Sequence, residues 1–99
     1  MSDLCGEIEK FGKAMGNASR YRIVEALFRG PKTVTELVHI TKFSQPLVSQ
    51  HLKVLKACEL VSDQRQGQEV LYTVNSEHTI RLLQRLTGEM QKSKKSVSK

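Results

Sequence analysis

Gln45, Ser49, Gln50 and Lys53 are spaced so that an α-helix would carry them on one face. At 100° per residue, Ser49 lies about 40°, Lys53 about 80° and Gln50 about 140° from Gln45. Glutamine can pair bidentately with adenine, and serine can hydrogen-bond base edges or phosphates. No acidic residue occurs from Leu37 to Cys58. An ordinary solvated face mixes Glu with Lys, whereas a face without carboxylates escapes repulsion by the phosphates that flank a DNA groove. Leu47, Val48, His51, Leu52, Leu55 and Cys58 fall on the opposite, apolar face, so His51 reads as a core histidine. His51 and Cys58 are also unsuited to nucleophilic catalysis. Seven residues of helix separate them by ~10 Å along the axis, too far for a Cys–His pair. With no Gly-rich phosphate loop and no paired carboxylates in the sequence, nothing points to an enzyme. The plainer alternative, a surface helix that happens to lack Glu, has to be weighed against the elements around it.

Those elements can be read from periodicity and caps. Leu4, Ile8, Phe11 and Met15 recur at helical steps and form one apolar face, ended by Gly16-Asn17. Asn17 or Ser19 can cap a second helix whose buried face includes Ile23, Val24, Leu27 and Phe28, with Gly30-Pro31 as its stop. Thr33 and Glu36 match a capping box for a short third helix reaching about Ile40. Ser44 caps the fourth helix, and Pro46 occupies its first turn, where a missing N–H costs nothing. From Val61 to Val74 the period changes to two: Val70, Tyr72 and Val74 alternate, and Gln66-Gly67-Gln68 separates two short strands of a hairpin. Asn75 or Ser76 starts a last helix with Ile80, Leu83, Leu86 and Met90 on one stripe. The expected fold is mainly α with a small β element (α+β), in the order ααααββα. A short helix, a turn, a reader helix and a hairpin make a winged helix-turn-helix.

The bulk numbers fit one compact domain. The chain has 99 residues, 38% of them hydrophobic and 26% charged. No apolar run approaches the ~20 residues that cross a bilayer. The opening MSDLCGEIEK is acidic and lacks an apolar secretory segment, so a cytoplasmic protein without membrane contact is expected. Two cysteines make no disulfide framework and are expected as free thiols. The net charge is +6, but the last eight residues, KSKKSVSK, carry four lysines, and without them it is +2. Residues 1–91 are therefore expected to form the folded DNA-binding domain, and 92–99 a basic disordered tail.

Four segments, AMGNASRYRIVEALFRG, TVTEL, SQPLVSQHLKVLKACELV and RQGQEVLYTV, resemble the ArsR/SmtB family of bacterial winged-helix repressors. The resemblance runs nearly to Met90. It implies a homodimer joined through the first and last helices, bound to an inverted-repeat double-stranded DNA operator and released by an inducer. By this resemblance Gln45, Ser49 and Gln50 would meet base edges, with Ser44, at the start of their helix, also expected to contact DNA, while Lys42, Lys53, Arg65 and Gln68 would contact phosphate or the minor groove. Leu4, Ile8 and Phe11 on the first helix, with Ile80, Leu83 and Leu86 on the last, are the candidate dimer seam. The competing reading is a winged-helix module that docks protein without specific DNA binding. A docking face needs exposed apolar or aromatic anchors, and the Gln-Ser-Gln face has none.

The inducer stays open between chemistries. Family members that bind soft metals or arsenic use a Cys-x-Cys pair on the third helix; TVTELVH has no cysteine. The zinc positions of other members match Ser76, His78, Glu89 and Lys92, two of which are poor zinc ligands. His78 then reads as a helix-start or dimer-contact residue. Cys5 and Cys58 stand where some members place thiolates for cadmium or lead, but Val54 occupies the position one turn before Cys58, and the last helix has no cysteine. The two thiols are candidate sensors for a soft metal ion, or for a thiol oxidant or reactive sulfur through a bridge. Alternatively, Cys58 packs as a small hydrophobe and Cys5 is incidental. No cofactor beyond such a metal ion is suggested.

Overall fold

The computed structural model describes residues 3–97, and of 94–97 the backbone alone. Its elements are α1 (Leu4–Met15), α2 (Ala18–Leu27), α3 (Val34–Thr41), α4 (Gln45–Ala57), β1 (Val61–Gln66), β2 (Glu69–Val74) and α5 (Ser76–Val97). This is the expected ααααββα order of a winged helix-turn-helix. The first four helices each begin on a side chain that accepts from its own first turn: Asp3 from the Gly6 amide, Asn17 from Arg20, Thr33 from Glu36 and Ser44 from Leu47. Of the two caps open for α2, Asn17 is the one used. The Thr33–Glu36 box closes in both directions, at 3.1 and 2.8 Å.

The core is built where these helices cross. Ala14 of α1, Ile23, Val24 and Leu27 of α2, Leu37 of α3, and Val48, Leu52 and Leu55 of α4 pack with Leu60 and Val61 at the root of the wing. Each fully buried Val, Leu or Ile side chain among them contributes roughly 1.5–3 kcal/mol. Phe28 departs from the expected buried face of α2 and is 59% exposed. It lies roughly 140° from Ile23, at the margin of the arc, and as the C-cap it sits where the chain leaves the helix. Its ring instead meets Tyr21 edge-on at 6.5 Å.

β1 and β2 form an antiparallel hairpin, Val61 opposite Val74 through Gln66 opposite Glu69. Gly67, with φ 64°, supplies the left-handed residue at the tip. Of the alternating trio in β2, Tyr72 and Val74 reach the core; Val70, nearer the tip and opposite Arg65, does not. A bridge that the periodicity does not announce joins Lys32 to Tyr72, with N–H···O distances of 3.1 and 2.8 Å, and anchors β2 to the segment before α3.

α5 packs against α1, where His78 Nε2 lies 3.7 Å from Glu7 Oε1. Leu82 is buried, while Ile80, Leu83 and Met90 are 54%, 43% and 60% exposed. The helix continues through Val97, so 92–97 are helical where a disordered tail is expected; Ser98 and Lys99 lie outside the described residues. No Gly or Pro follows Gly88 to end it, and Lys92 reaches back to Glu89 at 3.2 Å. With α5 projecting, the molecule measures 58 × 25 × 23 Å, and its radius of gyration is 16.1 Å, against about 13 Å for a compact domain of 100 residues.

Candidate nucleic-acid interface

α4 divides as its sequence pattern requires. Val48, His51, Leu52 and Leu55 are buried, and Leu47, Val54 and Cys58 are half-buried. Gln45, Ser49, Gln50 and Lys53 are exposed on the other side. Packing on one face thus fixes the rotation of the helix about its axis and sets which side chains project. Ser44 fixes where it starts: its hydroxyl accepts from Leu47 N–H at 3.3 Å, so this side chain is engaged in capping.

The turn that delivers α4 is held by Thr41, a buried polar residue with no signal in the sequence reading. Its hydroxyl donates to Leu37 O at 2.7 Å and accepts from Phe43 N–H at 3.2 Å. Lys42 between them adopts the left-handed conformation, φ 66°, and its ammonium-bearing side chain is exposed. Phe43 is half-buried against the core. On the wing, Arg65 and Gln68 are exposed near the tip. All eight side chains expected to face DNA therefore lie on the surface, on α4, the turn before it, and the wing.

The charge around this surface is positive. Lys42, Lys53 and Arg65 have no ion pair among the described residues. Lys56, on the same helix, differs: its Nζ lies 2.8 Å from Asp63 Oδ2 of β1. That hydrogen bond and the Asp63 charge raise the affinity of Lys56 for its proton, and they brace the wing against α4. On the inner face His51 is 7% exposed, and neither ring nitrogen has a hydrogen-bonding partner among the described residues. Burial, and secondly the nearby Arg20 guanidinium, hold its imidazole below the usual range. Arg20 itself ties α2 to the end of α1, donating to Lys13 O at 2.8 Å.

The sensor candidates are separate matters. Cys5 is exposed in the first turn of α1; Cys58 is the half-buried C-cap of α4, packed against the core; both are free thiols. Among the described residues no three His, Cys, Asp or Glu side chains gather as a metal cluster. His78 pairs with Glu7 across the α1–α5 contact. The candidate seam residues Leu4, Ile8, Phe11 and Leu86 are half-buried, Phe11 partly spent on the core, while Ile80 and Leu83 are exposed. No helix among the described residues is long and apolar enough to cross a membrane.

Residues 17–63 match the family model described as bacterial regulatory protein, arsR family. The HTH-type transcriptional repressor SmtB of Mycobacterium tuberculosis is 42% identical over 76 residues, 77% of this chain and 54% of that protein. The transcriptional repressor SmtB homolog of Synechocystis is 30% identical over 91 residues, covering 92% of this chain and 69% of that one. The chain thus spans about half the length of the mycobacterial repressor it matches. A homodimeric winged helix-turn-helix DNA-binding domain from Mycobacterium bovis superposes with a TM-score of 0.74, covering 100% of this chain and 95% of that one; at 24% identity the likeness is one of fold.

Proposed function

The chain belongs to the arsR family of bacterial regulatory proteins, and from that premise we propose that it is a homodimeric, sequence-specific transcriptional repressor acting in the cytoplasm. The observation that carries this reading is the two-sided α4: a core-packed inner face, and an outer face of Gln, Ser, Gln and Lys with no carboxylate. Gln45, Ser49 and Gln50 read base edges in the major groove. Lys42, Lys53, Arg65 and Gln68 hold the flanking backbone and fix the register of the reader helix. The exposed Ile80 and Leu83 form the seam with a second copy, together with Leu4, Ile8, Phe11 and Leu86. Two reader helices related by a two-fold then meet half-sites about one helical turn, ~34–36 Å, apart or a multiple of it. The lysines of 92–99 add a sequence-independent attraction to DNA.

Selection of duplexes from a random pool, followed by footprinting, tests the reading. The expected product is an inverted repeat protected on one face of the DNA. Binding of all duplexes alike, at any salt concentration, rejects it. Repeating the binding with the protein reduced, oxidised, and titrated with zinc, cadmium and arsenite identifies the releasing signal and shows whether Cys5 and Cys58 respond to it.

A further inference from the structure

Arg22 lies on the exposed side of α2, outside the polar face of α4. Its guanidinium carbon stands over the Phe43 ring, 5.5 Å from the centroid. Phe43 is anchored against the core and immediately precedes Ser44, the N-cap of α4. A cation from α2 is thereby held beside the first turn of the reader helix. Neither a hydrogen bond nor an ion pair joins Arg22 to a carboxylate among the described residues. The shallow groove it lines also contains Arg29, Lys32 and Glu25, three cations to one carboxylate.

We propose that Arg22, held by Phe43, is a sequence-independent phosphate contact at the edge of the DNA surface; this rests on the DNA-binding reading above. A guanidinium within cation–π distance of an aromatic ring is held there without a carboxylate partner, which leaves N–H groups for a bidentate phosphate. The ring also limits the conformations of a long side chain, so less freedom is lost when the phosphate is engaged. Position argues for phosphate over base. Arg22 projects from α2 and flanks the start of α4, and the backbone is what flanks a groove-bound helix.

The test uses two probes: a duplex that the wild-type protein selects from a random pool, and a random-sequence duplex of equal length. Affinities are measured across a salt series for wild type, Arg22→Gln, Arg22→Lys and Phe43→Leu, with thermal melts to verify folding. Arg22→Gln should weaken both duplexes by the same factor, about tenfold at low salt, and reduce the salt slope by about 0.9 per protomer. Arg22→Lys should restore much of the slope and only part of the affinity, since the charge returns without the planar fork. Phe43→Leu should lower affinity while keeping the slope. A folded Arg22→Gln protein with unchanged slope on the selected duplex overturns the proposal, as does a loss confined to the selected duplex, which would make Arg22 a base reader. A wild-type protein that selects no sequence overturns this proposal and the DNA-binding reading together; in the first two results only this proposal fails.

Discussion

Gln50 and Lys53 share the outer face of α4 but carry different duties in the proposed complex. Gln50→Ala should weaken binding to the selected duplex by about 1–3 kcal/mol and relax the base preference at one position per half-site. Lys53→Ala should weaken every sequence alike and flatten the salt dependence. Quantitative binding to single-base variants of the selected site separates the two, and uniform loss in both mutants removes Gln50 from the base readers. His51, beneath them, titrates in the interior. Its folded pKa lies below the ordinary 6.5, so the native state stays neutral where the unfolded chain already takes up a proton. Stability is therefore full above about pH 6.5 and declines as the pH falls below it. Melts between about pH 7.5 and 5.5 should show that decline in wild type and less of it in His51→Gln; equal acid slopes would assign the loss to other groups. The placement of His51 and the outer face of α4 could be read from the sequence, because helical periodicity is a local property. The pairing of Arg22 with Phe43 could not, nor could the support Thr41 gives the turn, because neither leaves a pattern along the chain.

The elements were legible for the same reason, with exceptions that have physical causes. Caps at Asn17, Thr33 and Ser44 are written in residue type and spacing, while Phe28 is exposed because its position at a helix end matters more than its hydrophobicity. The Lys32–Tyr72 bridge joins residues 40 apart and required the fold itself. Between α3 and α4 the chain accepts a left-handed residue with a side chain, Lys42 at φ 66°. Glycine takes that conformation without the steric cost, roughly 1 kcal/mol. Lys42→Gly should therefore raise the melting temperature and lower DNA affinity in one substitution. Calorimetry with a binding titration checks both signs; a stabilised variant with undiminished affinity would show that Lys42 does not touch DNA.

What covers α5 decides how the protein assembles. The projecting helix explains a radius of gyration of 16.1 Å in a chain of 99 residues, and its exposed Ile80 and Leu83 are the proposed seam. A carboxylate placed there without a partner opposes burial. Leu83→Glu should sediment as a folded monomer or a weak dimer, and its operator affinity should fall about a hundredfold or more as one chain loses the second half-site. Wild-type protein that sediments as a monomer at micromolar concentration, and binds its operator in that form, would sink both the seam and the two-fold site. The stripe was legible in the sequence; the burial of Leu82 behind it and the run of helix to Val97 were not, since both depend on how α5 lies on α1.

The hairpin has one more consequence, for solubility. β2 is paired on both sides, by β1 and at Lys32, so the open border of the sheet is β1. An unpaired strand border invites another chain to add to it, and proteins discourage this with polar and charged side chains. Beyond Val61, β1 reads Ser-Asp-Gln-Arg-Gln, all exposed. The exposed polar composition that includes Arg65, a proposed contact to the DNA backbone, thus also opposes pairing of copies of the protein along their wings. Replacing Gln64 and Arg65 by valine should leave the melting temperature nearly unchanged while light scattering rises with concentration over hours. A double variant that stays clear at high concentration would show that the wing needs no such protection.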